Sequence, residues 1–111
     1  MMTEVEQEVW EDWKKTVNMT ARELEKWLQT DKSEAVGERK FGAESTGHES
    51  GRRIVEILRT PKHELTEDDA EHMRQVVGFV HRHLAQRPRG DVRETRWRYS
   101  LMNWGHDPLK S

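Results

Sequence analysis

Arginine is the residue type through which this chain could do most. Arg87, Arg89, Arg93, Arg96 and Arg98 crowd into one short stretch with Arg82 just ahead of it. Arg52 and Arg53 are adjacent, and Arg39-Lys40-Phe41 sets two bases beside an aromatic ring. Guanidinium groups at this density can neutralise phosphates, and a base–aromatic pair can contact a nucleic-acid backbone and stack on a base. The 111 residues carry a formal net charge of −2. It is unevenly spread: residues 1–36 hold nine acids and five bases, 37–80 nine and seven, and 81–111 three and seven. A basic last third on an otherwise acidic chain points to an anionic partner. The same imbalance could instead complement the acidic N-terminal third, and Phe41 could simply pin its loop to a core.

Other chemistries find less support. There are six histidines, but His81 and His83 are two apart and point to different sides of a helix. No histidine pair has i, i+4 spacing and the His-Glu-x-x-His zinc pattern is absent. Only a metal site assembled from distant positions such as His48, His106 and Asp107 stays open, and no cofactor is expected. The chain has no cysteine, which removes disulfides, thiolate metal sites and cysteine nucleophiles. There is no Gly-x-Ser-x-Gly elbow, phosphate-binding glycine loop or dinucleotide fingerprint. The acids Glu67, Asp68, Asp69 and Glu71 cluster at a helix start, where capping explains them. Enzymatic activity is not expected. No run of about 18 apolar residues occurs and the N-terminus is acidic, so a cytoplasmic protein without a membrane partner is expected.

The elements that must position these side chains are helices. Between Leu65 and Gln86, Met73, Val76, Val77, Val80 and Leu84 recur at three-and-four spacing, with Ala70 at the edge. Thr66 is a natural N-cap for that helix, Asp69 stands at the capping-box position, and Arg87-Pro88 ends it. A first helix is predicted over 3–17, with Val5, Val9, Trp13 and Val17 stepping by four and Trp10 beside them. Met19-Thr20-Ala21-Arg22-Glu23-Leu24 is a full capping box with a hydrophobic staple, opening a second helix that stops near Thr30. Residues 31–44 then read as a long, charged loop. Thr46 and Glu49 start a third helix that closes at Thr60-Pro61. Its residues Gly47, Gly51, Ile54 and Leu58 fall on one face, so the two glycines invite close approach by another helix. Gly78, opposite the main stripe of the long helix, likewise suggests a close neighbour. Trp97, Leu101 and Trp104 step i, i+4, i+7 toward Gly105, a good helix terminator.

The fold class that follows is all-α: a single compact domain of four or five helices around a long central helix, with one long mobile loop within 31–45. An acidic N-terminal helix over 1–15, loosely attached, precedes a helical domain over 16–111. The apolar fraction of 32% lies below the ~45–50% of typical globular domains, so part of the chain should be solvated.

Several blocks together carry a resemblance. They are Val17-Asn18-Met19-Thr20 with Glu23-Leu24-Glu25-Lys26-Trp27-Leu28, Gly47 to Val55, Val77 to Pro88, and the distinctive Thr95-Arg96-Trp97-Arg98-Tyr99-Ser100-Leu101-Met102-Asn103-Trp104-Gly105-His106-Asp107-Pro108. The chain resembles, over about 16–110, the small microbial family known as domain of unknown function 3140. That resemblance implies no established activity and no catalytic residues, though some members carry a DNA-binding label. In architecture, helix 20–30, the following loop and helix 46–60 are similar to the SAP-type helix–extended loop–helix DNA-binding module, with a longer loop. The expected function is weak, non-sequence-specific duplex DNA binding through Arg39, Lys40, Arg52, Arg53, Arg87, Arg89, Arg93, Arg96 and Arg98, provided the arginine groups converge. The alternative is protein–protein interaction or oligomerisation through an exposed aromatic face, either Trp10/Trp13 or the flank His72, Phe79 and His83.

Overall fold

Threonine hydroxyls set most of the helix starts. The computed structural model describes residues 6–36 and 47–110. Those residues form α1 (Gln7–Thr16), α2 (Ala21–Leu28), α3 (Asp31–Val36), α4 (Gly47–Leu58), α5 (Glu67–Leu84) and α6 (Arg96–Asn103), with a 3-10 turn over Lys62–Glu64 and no strand. Both predicted capping boxes are made in full. Thr20 accepts from the Glu23 amide at 3.1 Å while Glu23 accepts from the Thr20 amide at 2.9 Å. Thr66 and Asp69 pair the same way, at 3.2 and 3.0 Å. Thr95 caps α6 through the Arg98 amide, 3.1 Å away.

The all-α class is as the sequence predicts, but the described residues contain six α-helices rather than four or five. The extra one is α3, which lies in the stretch read as loop. Its stripe is not apolar, so periodicity could not show it. Thr30 Oγ1 accepts from the Ser33 amide at 3.1 Å. Ser33, fully buried, donates its hydroxyl to Asn103 Oδ1 at 2.5 Å, and its backbone carbonyl accepts from Asn103 Nδ2 at 3.1 Å. Asn103 Oδ1 also accepts from the Trp27 indole at 2.7 Å, so one buried amide fixes α2, α3 and α6 together. The remainder of the expected mobile loop, residues 37–45, and Thr46, the expected start of the third helix, lie outside the described residues.

Apolar packing supplies the rest. Ala70, Met73, Val76 and Val80 of α5 are all 0% exposed, as their stripe predicts. Helix α1 packs on α5, and Trp13, from the stretch expected to attach loosely, is buried. Helix α2 packs on α4 across Gly51, where a Cβ would stand 2.6 Å from Leu28 Cδ2 and 2.7 Å from the Asn103 carbonyl. No side chain fits there, which is the close approach expected at that glycine. Gly78 turns out otherwise: a Cβ there would meet only the Arg82 guanidinium, 3.1 Å away. Among the described residues no other segment comes within 4 Å of that point.

Helix α6 touches α2, α3, α4 and α5, and so joins the α1–α5 pair to the rest. Trp97, Leu101 and Trp104 are buried as predicted. Gly105, at φ +82°, ends α6 in a Schellman turn, with the Gly105 amide on the Met102 carbonyl and the His106 amide on the Leu101 carbonyl, each at 3.0 Å. The chain then folds back on the α1–α2 link: Asn18 exchanges two hydrogen bonds with the Asp107 backbone, at 2.8 and 3.0 Å. No helix of the described residues is long and apolar enough to cross a membrane.

Candidate nucleic-acid interface

An arginine can meet a phosphate only if no carboxylate already holds it, so the pairing of each guanidinium decides its availability. Three of the predicted contact residues are held. Arg98 forms a fork on Asp107, with Nε to Oδ1 at 3.1 Å and Nη2 to Oδ2 at 3.0 Å, and gives Nη1 to the Arg93 carbonyl at 2.9 Å. Burial alone would raise the Asp107 carboxyl, but Arg98 and the Leu109 amide outweigh it and hold the group below the usual aspartate value. Arg93 forks onto Asp91 at 2.6–3.0 Å and lowers that carboxyl to about 2. Arg53 reaches Asp69 Oδ1 at 3.2 Å.

The remaining described arginines of the set are less committed. Arg87, Arg89 and Arg96 are exposed and have no carboxylate partner among the described residues, and the same holds for Arg82. Arg82 belongs to the same basic run but stands outside the expected contact set. The guanidinium of Arg87 sits over the Trp97 ring, 5.3 Å from its centroid. Trp97 is itself fixed, 7% exposed and donating its indole N–H to the His83 carbonyl at 2.6 Å. A cation over an anchored indole keeps its position while its N–H edge stays in water. Trp97 was predicted as core, and nothing in its spacing showed that it would also carry Arg87.

Arg52 is exposed but tied differently. Its Nη1 lies 2.9 Å from His48 Nδ1, while His48 Nε2 lies 2.6 Å from the Leu28 carbonyl. A carbonyl can only accept, so Nε2 carries the proton and Nδ1 accepts from the guanidinium. The two arginine groups are not brought together. Arg53 is bound to Asp69 in the first turn of α5, whereas Arg87 lies beyond the last turn. Asp69 and Leu84 are fifteen residues apart on that helix, about 22 Å at the α-helical rise. Arg39 and Lys40 lie outside the described residues.

The other candidate features are also placed. Trp13 is buried, leaving Trp10 half-buried with the Lys62 and Lys14 ammonium groups 5.1 and 6.0 Å from its ring. The flank of His72, Phe79 and His83 is a contact face, covered by α6: Phe79 stacks on Trp104 at 4.2 Å. His48, His106 and Asp107 do not assemble, since His106 Nδ1 bonds the Thr16 carbonyl at 2.7 Å and the other two are held as described. No group of three His, Asp or Glu among the described residues could hold a metal ion. Ser50 Oγ lies 3.0 Å from His72 Nε2, the spacing of an activated hydroxyl. At 1% exposure, however, Ser50 is out of reach of any substrate carbonyl.

A family model described as "Protein of unknown function (DUF3140)" matches residues 12–102. The chain belongs to that family. No curated protein and no solved structure matches it. The matched stretch runs from within α1 almost to the end of α6, so the arginines between 82 and 98 and the Trp97 platform all lie in the DUF3140 region. The Asp107 partner of Arg98 lies just past it.

Proposed function

We propose that this DUF3140 protein binds duplex DNA weakly and without sequence preference, through a ledge formed by Arg82, Arg87, Arg89 and Arg96. The observation that carries the reading is a contrast among neighbours. Arg93 and Arg98 are neutralised by Asp91 and Asp107, while these four exposed arginines in the same stretch have no acid among the described residues. Unneutralised guanidinium groups in water gain little from one another and most from phosphates, whose binding releases counterions. Arg87, steadied over Trp97, would lose less freedom on binding than a free side chain. The role is that of a binding module rather than an enzyme, and a cytoplasmic location goes with it. Arg53 falls outside the ledge because Asp69 holds it at the far end of α5, and Arg52 because it is tied to His48 beside α2.

Three or four neutralised phosphates give log affinity falling with log salt at a slope of about −3 to −4. Fluorescence anisotropy with a labelled duplex at two salt concentrations measures it. The triple reversal Arg87→Glu, Arg89→Glu, Arg96→Glu should abolish binding, while Arg52→Glu should leave it nearly unchanged. Absence of binding at low salt, or binding indifferent to the triple reversal, would sink the reading. Light scattering on the same sample would then test self-association through the half-buried Trp10 face.

A further inference from the structure

Four aromatic rings lie nearly parallel across the seam between α5 and α6. Trp104 and Phe79 form the centre, with centroids 4.2 Å apart and planes 14° from parallel. His72 lies beside Trp104, at 6.3 Å and 15°, and His83 beside Phe79, at 5.1 Å and 18°. The stack therefore begins and ends on histidine, and both come from the helix that α6 closes.

Neither imidazole is set up to carry charge. His72 is 7% exposed. From α4 it faces the Ser50 hydroxyl at 3.0 Å and the Arg53 guanidinium, from α5 Asp69 and Gln75, and from α6 the Trp104 ring. His83 has its Nε2 buried without a hydrogen-bond partner among the described residues. Phe79 covers its ring, and its carbonyl holds the Trp97 indole, over which the Arg87 guanidinium sits; burial is what acts on the imidazole. A neutral ring nitrogen tolerates that position, whereas a buried N–H⁺ without an acceptor does not.

We propose that this histidine-bracketed stack is an acid-sensitive latch, and that protonating His72 and His83 loosens α6 from α5. Burial lowers both groups from the ordinary histidine value, and for His72 the nearby Arg53 adds to it, while Ser50, Asp69 and Gln75 pull the other way without offsetting the shift. A histidine lowered in the fold leaves the unfolded chain binding more protons below about pH 6.5. Stability is thus complete above that pH and falls as the pH drops through the window beneath it. Each histidine raises the unfolding constant by up to about tenfold per pH unit there. Asp69, Asp91, Asp107 and Glu23 are all held below their ordinary values, so their contributions are lost only at lower pH. The latch does not depend on DNA binding.

Urea denaturation of the full chain at pH 7 and at about pH 5.2 tests it. The unfolding constant should rise markedly between the two. His83→Phe keeps a ring in the stack and removes the orphaned nitrogen. It should match or exceed the parent's stability at pH 7 and cut the acid-induced rise several-fold. An equal rise in parent and variant would overturn the proposal. If the variant does not fold, the C–H resonances of His72 and His83 in the parent decide: both should resist protonation below the ordinary histidine value, and ordinary titration of the two would also overturn it.

Discussion

The two ends of α5 are built from opposite charge and treat it in opposite ways. At the N-terminal end, acids are absorbed by the fold. Asp69 closes the capping box and holds Arg53, while Arg74 lies 3.6 Å from Glu67 and 3.1 Å from Glu71. In the basic last third, two of the three carboxylates, Asp91 and Asp107, each take one arginine, Glu94 stays exposed in water, and four arginines are left over. Both ends also agree with the helix dipole, acids first and bases last. The lesson is that a local excess of charge in a sequence becomes a surface property only after pairing is subtracted. Residues 81–111 are basic by composition, yet two of their arginines are already paired, Arg98 in a largely buried fork and Arg93 in an exposed one. Arg53 looked equivalent to them and belongs to the acidic end.

The comparison can be broken at its C-terminal end through Trp97. Trp97→Ala removes a buried indole, its hydrogen bond to His83 and the platform under Arg87. It should cost about 3–5 kcal/mol, enough to unfold most of the population of so small a domain. Thermal melting checks it, and an unchanged melting temperature would mean that the indole is not core. At the N-terminal end the matching lesion is smaller. Thr66→Ala deletes one half of a capping box and should cost about 1 kcal/mol. That variant should keep any DNA binding the parent shows, because the ledge lies at the other end. A loss of binding without unfolding would show that the two ends are not independent.

How much of this was legible beforehand depended on the range of the interaction. Caps are local, so Thr20 with Glu23 and Thr66 with Asp69 could be read directly. The apolar stripes of α5 and α6 repeat with the helix and were equally plain. Helix α3 was not, because its anchor is a hydrogen bond from Ser33 to Asn103, seventy residues away. Nor could spacing reveal that Arg98 would be taken by Asp107, since the fork closes only after the Schellman turn reverses the chain. The candidate site was half visible for the same reason. Its residue types and its stretch of chain could be named, but which arginines stay free is decided by partners that the fold delivers.

Gly78 sharpens the comparison from the middle of the helix. The sequence suggested a neighbour pressed against it, but the position is half exposed, and among the described residues an added methyl would meet only the far end of the Arg82 side chain. A glycine inside a helix costs about 0.5–1 kcal/mol relative to alanine, mainly through the freedom it keeps when unfolded. Arg82 can swing aside, since no carboxylate pins it. Gly78→Ala should therefore stabilise the protein by up to about 1 kcal/mol, seen as a higher urea midpoint at unchanged slope. The shift should leave the salt dependence of DNA binding as it was. A lower midpoint would mean that something approaches α5 closely at that point in solution. If dilution restored the difference, that something would be a second copy of the chain.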